Sequence, residues 1–134
     1  MNPLVREWVE KAEGDFVTAG RELRARKSPN YDAACFHAQQ CAEKYLKAIL
    51  QISNIPFGRT HNLPALLDLV TADRERLEPF RPMLSRLGEY SVHVRYPGET
   101  ADRESAKEAY VIRRDLREQA RIVLRISSGK AGKK

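Results

Sequence analysis

The sequence lacks most of the features by which enzyme and membrane classes are recognised. Its 134 residues contain no glycine-rich phosphate loop, no His-Glu-x-x-His motif and no cluster of His, Cys and Asp at metal-ligand spacing. No apolar run is long enough to span a membrane, and residues 1–26 lack the apolar core of a signal peptide. We therefore expect a cytoplasmic, single-domain protein with no membrane contact, no metal and no cofactor.

Cysteine is scarce, with two residues, Cys35 and Cys41, six positions apart on one predicted helix. At about 3.6 residues per turn the two side chains point to different faces, so the sequence predicts no disulfide between them. No further cysteine is present to build a zinc site. We interpret Cys41 as a small residue of the core.

Negative charge is also in deficit, because the chain carries a formal net charge of +6. Three of the positive charges are lysines in the last eight residues, SSGKAGKK, which leaves +3 on the rest of the chain. Such a balance permits an anionic partner such as RNA but does not require one. Because residues 128–134 are polar and contain glycine, we expect a disordered basic tail after a helical domain over residues 1–127.

The clearest helical pattern runs from Tyr31 to Asn54. Its apolar residues recur at steps of three and four, which predicts one buried face, and Asn30 is suited to cap its first turn. The main apolar stripe is Ala34, Ala38, Cys41, Tyr45, Ala48 and Ile52. The opposite face carries a polar stripe that is either solvated or binds RNA or a nucleotide, namely His37, Gln40, Lys44 and Lys47.

Helical spacing and capping residues predict four further helices, with a turn or broken helix at residues 73–82. Their limits are Asn2 to about Arg26, Leu63 to about Ala72 after the cap Asn62, Pro82 to before Val94, and a last helix capped by Thr100 or Asp102. No segment alternates with period two, so the predicted fold is all-α, an up-and-down bundle of four to five helices. We interpret the arginines of the last helix as a solvated face rather than a binding groove; they are Arg113, Arg114, Arg117, Arg121 and Arg125.

Chemistry-bearing residues are concentrated in RLGEYSVHVRYP, residues 86–97. Arginine can hold a phosphate through two parallel hydrogen bonds, histidine can move a proton near neutral pH, and tyrosine can stack on a base. The stretch is suited to RNA hydrolysis, in which a 2′-hydroxyl is activated and the charge on the phosphate is stabilised. The same residue types also make ordinary helix ends. His61, directly before a predicted helix, is interpreted as a cap or loop residue.

Three blocks follow one another along the chain: FHAQQCAEKYLKAIL at residues 36–50, RTHNLPALL at residues 59–67, and RYP at residues 95–97. Together they resemble the HEPN domain family of bacteria and archaea, over nearly the whole chain from about Leu4 to Ile126. The resemblance implies a bundle of four or five helices that usually forms a homodimer. The predicted central helix, with apolar residues such as Phe36 beside its main stripe, favours the same symmetric assembly.

The resemblance also implies partners and activity. Members commonly work beside a small nucleotidyltransferase, often as a toxin–antitoxin pair, and many are RNases or are proposed to bind nucleotides. RNase members carry an Arg and a His separated by four to six residues near the fourth helix, and Arg86 and His93 meet the outer limit of that spacing. The resemblance thus implies Arg86 and His93 as candidate catalytic residues of a metal-independent RNase, with Arg95 and Tyr96 as candidate RNA contacts. A polar residue usually follows the Arg, whereas Leu87 follows it here, and the subgroup with an Arg-Tyr-Pro ending often lacks the His. 

Three interpretations therefore remain open at the level of sequence. The first is a dimeric HEPN-type bundle that acts with a nucleotidyltransferase on RNA or nucleotides, with metal-independent RNA cleavage as its candidate activity. The second is a non-catalytic module of the same fold that binds a nucleotide or a protein. The third is an unrelated four-helix scaffold whose polar stripe is only solvated.

Overall fold

The computed structural model describes residues 1–94 and 96–127, and within them the chain forms α-helices, one 3₁₀ turn and no strand. The elements in chain order are α1 (Pro3–Arg24), α2 (Tyr31–Ile52), α3 (Leu63–Leu69), α4 (Arg74–Leu77), a 3₁₀ turn (Glu78–Phe80), α5 (Arg81–His93) and α6 (Arg103–Val123). The all-α prediction is confirmed. Arg95 and the predicted basic tail, residues 128–134, lie outside the described residues.

Four helices begin at a polar side chain that accepts a hydrogen bond from the first turn, at distances of 2.7–2.9 Å. Such a bond satisfies one of the amide groups that a helix start leaves without an intrahelical partner. The caps are Asn2 for α1, Asn30 for α2, Asn62 for α3 and Asp102 for α6. The sequence identified all four residues and left the choice between Thr100 and Asp102 open, which the structure settles in favour of Asp102.

The predicted break at residues 73–82 is present. Asp73 takes a left-handed backbone conformation with φ 50°, and the single turn of α4 and the 3₁₀ turn follow it. Pro79 and Pro82 lie at the starts of the 3₁₀ turn and of α5, where a missing amide hydrogen costs nothing. This break orients α5, which carries Arg86 and His93.

The helix α2 is the centre of the fold and packs against α1, α3, α5 and α6. Small residues on its inner face, such as Ala38 and Cys41, let the neighbouring helices approach closely. Of the predicted stripe, Ile52 is the exception, since it is 43 % exposed at the end of the helix. Neither α2 nor any other helix in the described part of the chain is long and apolar enough to cross a membrane.

The arginines of α6 do not form a solvated face throughout, and the prediction was wrong for Arg113 and Arg117, which are 2 % and 6 % exposed. The Arg113 guanidinium lies 3.8 Å from the centre of the Phe16 ring and 4.1 Å from that of Tyr110. A guanidinium is planar and weakly hydrated, so it can be buried where aromatic faces cover it. Arg117 is buried because Glu13 of α1 neutralises it.

Candidate functional site

The helix α5 presents the two predicted catalytic residues on one face. Arg86 and His93 are seven positions apart, which places them about two helical turns and roughly 10 Å apart along the helix axis. Both side chains are exposed, at 44 % and 63 %. The structure therefore aligns them on one surface.

Each of these two side chains is held by a different carboxylate. Arg86 Nε donates a hydrogen bond to Glu108 Oε2 of α6 at 2.9 Å, and the hydroxyl of Tyr90 donates to the same carboxylate. His93 Nδ1 lies 2.9 Å from Glu99 Oε1 in the loop that follows α5. Because an ionised carboxylate accepts only, Nδ1 of His93 carries the proton and Nε2 is left for a ligand.

The exit loop after α5 turns tightly. The Tyr96 amide donates to the carbonyl of His93, and Gly98 has φ 86°, which a residue with a side chain rarely adopts. Tyr96 is 58 % exposed beside this turn, so its ring is available as a stacking surface. Arg95, the other predicted RNA contact, is outside the described residues.

The polar stripe of α2 is divided between two environments. His37 Nδ1 and Lys44 Nζ lie 2.8 Å and 2.6 Å from the two oxygens of Asp15, which ties both to α1. Gln40 donates to the side chain of Gln39 at 2.8 Å. These three predicted binding residues thus share one edge of the helix.

Lys47, the fourth residue of the predicted stripe, is buried at 5 % exposure. Its ammonium lies 2.9 Å from Glu43 Oε2 and within 6 Å of the ring centres of Trp8 and Phe57, at 5.5 and 5.8 Å. The periodicity of α2 predicted a polar position here, but the aromatic side chains of α1 and the α2–α3 loop cover it.

A cleft of about 510 Å³ lies where α2, the start of α3 and α5 meet. Its lining includes the buried Gln39 and Ser91 and the exposed His61 and His93. The volume falls in the range of about 300–1,000 Å³ that small-ligand sites occupy. Arg86 is not part of this lining.

Glu43 does not line the cleft but contacts two residues that do, Gln39 and His61. His61 Nδ1 lies 3.0 and 3.1 Å from its two oxygens, Gln39 Nε2 donates to it at 3.2 Å, and Lys47 completes the set. Burial alone raises the pKa of Glu43, but the hydrogen bonds from Lys47, His61 and Gln39 outweigh it and lower the pKa below its ordinary value. Glu43 is therefore a charged acceptor, and His61 Nδ1 donates to it.

The sequence did not reveal Glu43, and it indicated no role for His61 beyond that of a cap or loop residue. His61 does lie in a loop, but Asn62 is the cap of α3, and the His61 side chain contacts the Glu43 carboxylate of α2. The available signal was the spacing of Gln39, Glu43 and Lys47 at steps of four, next to a block that contains His61. Among the described residues, no group of three or more His, Cys, Asp or Glu side chains is arranged to hold a metal ion.

These features define a helical-bundle protein with a histidine-lined cleft beside α5. The chain belongs to the HEPN domain family, whose sequence model matches residues 5–123. It is 30 % identical over 96 residues to "Putative toxin MJ1304" of Methanocaldococcus jannaschii, and the match covers 67 % of this chain and 61 % of that protein. The chain thus spans about three fifths of the length of this curated relative. No solved structure matches the chain.

Proposed function

We propose that the protein is the toxin-like component of a two-component system, a cytoplasmic homodimer that pairs with a small nucleotidyltransferase and cleaves RNA without a metal ion. Membership of the HEPN family and similarity to a protein named as a toxin support the class. The structural observation that carries the proposal is the exposure of Arg86 and His93 on one face of α5. In the reaction, His93 transfers a proton and Arg86 stabilises the charge on the phosphate.

The carboxylates that hold these two residues do not prevent that role. The Arg86–Glu108 and His93–Glu99 pairs are both exposed, and such pairs contribute only about 0–1 kcal/mol. An RNA phosphate can therefore replace a carboxylate as the partner of Arg86, since arginine binds both groups through the same two-pronged geometry.

The remaining predicted contacts give the RNA a path across the surface. Tyr96 is an exposed ring on which a base can stack, and we keep Arg95 as a proposed phosphate contact. His37, Gln40 and Lys44 extend the polar surface along α2. Lys47 supports Glu43 and is too buried to meet a phosphate directly, so we propose it as an indirect contributor.

The proposed homodimer is supported by apolar surface beside the site. Val92, directly before His93 in the chain, is 51 % exposed. Burying this surface in a two-fold interface would bring two copies of α5 together and build one cleft from two chains. Light scattering at tens of micromolar is expected to give twice the mass of the chain, and a monomeric mass would refute the dimer.

RNA cleavage by the purified protein tests the catalytic part of the proposal. We expect cleavage to persist in EDTA and to fall by about 10²–10⁴ in His93→Ala, which is the usual contribution of general acid–base catalysis. Arg86→Ala is expected to have a comparable effect. Arg114→Ala is the matched control, because Arg114 is exposed and paired with Asp115 away from the cleft. Melting temperatures close to that of the wild type would show that the variants remain folded.

A non-catalytic nucleotide-binding module is the second candidate. It is favoured by the separate carboxylates that hold Arg86 and His93 about two turns apart. It predicts no cleavage above background, or equal cleavage by the wild type and His93→Ala.

The partnership is tested by co-expression with a small nucleotidyltransferase encoded near the gene, if one is present. We expect the two proteins to co-purify in a stable complex. Separation of the two on a sizing column at micromolar concentration would count against the pairing and leave the RNase proposal standing.

A further inference from the structure

We infer that His61 is a second proton-transfer residue of the proposed ribonuclease and acts on the same RNA phosphate as His93. The inference rests on the proposed function and adds to it a residue from a different part of the chain, the loop before α3. Three observations carry it: the contact of the His61 ring with a buried carboxylate, a carboxylate at Nδ1 of His93 as well, and the cleft that both rings line.

The His61 ring is fixed although its side chain is 61 % exposed. Its Nδ1 donates to Glu43, a carboxylate that is 3 % exposed, and Gln39 donates to the His61 carbonyl at 3.1 Å. Burying a charged carboxylate is costly, and the buried Glu43 uses the solvent-facing imidazole of His61 as one of its hydrogen-bond partners. A histidine that only needed solvation would not require this support.

His93 lines the same cleft and also has a carboxylate at Nδ1, although this carboxylate is exposed. Its Nδ1 is occupied by Glu99, as the Nδ1 of His61 is occupied by Glu43. In each ring Nε2 is therefore the nitrogen left to accept or deliver a proton. Both rings line the cleft of about 510 Å³, which has room for a nucleotide-sized group.

Two histidines allow a complete transesterification without a metal. His61 Nε2 takes the proton of the RNA 2′-hydroxyl, and the 2′-oxygen forms a bond to phosphorus. The bond between phosphorus and the 5′-oxygen breaks, and protonated His93 delivers its Nε2 proton to that oxygen. The products are a 2′,3′-cyclic phosphate and a 5′-hydroxyl, and proton exchange with water resets both rings.

The first arm of the test compares wild type, His61→Asn and His93→Ala in RNA cleavage across pH 5–9. Asparagine keeps a donor for Glu43 but cannot transfer a proton. We expect His61→Asn to lower kcat by about 10²–10⁴ with a smaller change in KM, and to remove the rise of kcat with pH on the acidic side. Glu43 of α2 and Glu99 contact the two rings, Glu89 of α5 lines the same cleft, and Lys47 of α2 contacts Glu43.

The second arm measures binding to the wild-type protein, so its main result does not depend on the folding of a variant. An RNA oligonucleotide with 2′-deoxyribose at the cleavage position binds but cannot react. We expect this oligonucleotide to shift the NMR signals of the His61 and His93 ring protons, and both shifts to reach half of their full size at the same RNA concentration. Asp68→Asn, which neutralises an exposed carboxylate paired with Arg81 outside the cleft, is the control and is expected to show the same RNA-induced shifts of both signals as the wild type.

The outcomes separate the two proposals. Cleavage by His61→Asn at the wild-type rate, with His93→Ala inactive, would overturn the role of His61 and leave the ribonuclease intact. A shift of the His93 signal without a shift of the His61 signal would also overturn the role of His61 and leave the ribonuclease intact. Absence of cleavage by the wild type would overturn the ribonuclease and the catalytic role of His61 with it.

Discussion

Arg117 of α6 donates two hydrogen bonds to the Glu13 carboxylate of α1, from Nε at 2.8 Å and from Nη2 at 3.0 Å. The hydroxyl of Tyr45, on α2, donates to the same carboxylate and accepts a hydrogen bond from Arg121 at 2.8 Å. One carboxylate thus joins the three long helices at a point where the Arg117 side chain is 6 % and that of Glu13 16 % exposed.

Removal of this carboxylate is expected to destabilise the fold strongly. Glu13→Ala should lower the free energy of unfolding by about 3–5 kcal/mol, because the Arg117 guanidinium would stay buried without its counter-charge. Asp115→Asn is the control, since the Arg114–Asp115 pair is exposed and its loss should cost about 1 kcal/mol or less. Urea denaturation at neutral pH measures both values. Equal effects of the two substitutions would contradict this account of the junction.

Glu43 should make stability depend on pH in the acidic range. Its pKa is lowered in the folded protein, so the unfolded carboxylate binds a proton at higher pH than the folded one does. The stabilisation is therefore complete above the ordinary value of 4.5 and is lost as pH falls through the folded pKa. We expect the difference in unfolding free energy between wild type and Glu43→Gln to shrink as pH is lowered from 6 to 3. A difference that stays constant over that range would refute the lowered pKa of Glu43 in the folded protein.

Two glycines of α1 should respond to alanine in opposite directions. A Cβ at Gly14 would meet nothing within 4 Å, so Gly14→Ala should raise the free energy of unfolding by about 0.5–1 kcal/mol through helix propensity. A Cβ at Gly20 would lie 2.6 Å from Arg113 Nη2, and Arg113 is held between two aromatic rings. Gly20→Ala should therefore lower stability. Thermal unfolding of the pair gives the comparison directly, and a gain at both positions would show that Arg113 moves aside at little cost.

The thiols should be unreactive in the folded protein. Cys35 and Cys41 are free and buried, and burial raises the pKa of both, that of Cys35 to about 12, with smaller contributions from Asp32 and Asp102. The thiolate is the reactive form, so iodoacetamide at pH 8 should modify neither residue until the chain is unfolded in urea. Mass spectrometry counts the modified thiols. Rapid labelling under native conditions would mean that the core opens near α2 more readily than the packing indicates.

Local features of the fold were predictable because their causes lie within a few residues. The caps Asn2, Asn30 and Asn62 each bond to an amide two or three positions away, so their role can be inferred from spacing alone. The same holds for the break at residues 73–82, which depends on its prolines. Exposure of α5 at Arg86 and His93 also follows from the apolar face formed by Leu84 and Leu87.

The buried charges were not predictable, because burial of a charge depends on a partner that is distant in sequence. Arg117 and Glu13 are 104 positions apart, and His61 and Glu43 are 18 apart on different elements. On composition alone an arginine or lysine on a polar stripe is expected at the surface. Arg113 and Lys47 are inside because aromatic rings from other helices and loops cover them.

The sequence by itself determined the helices, their starts and the membership of the HEPN family, since these depend on local periodicity, capping and the order of three short blocks. Tertiary structure alone decided which charges are buried and which histidines share a cleft. The physical reason is that the cost of burying a charge is offset only by a specific partner at hydrogen-bond distance. Helix packing brings Glu43 to His61, and it brings His61 to the cleft that His93 lines.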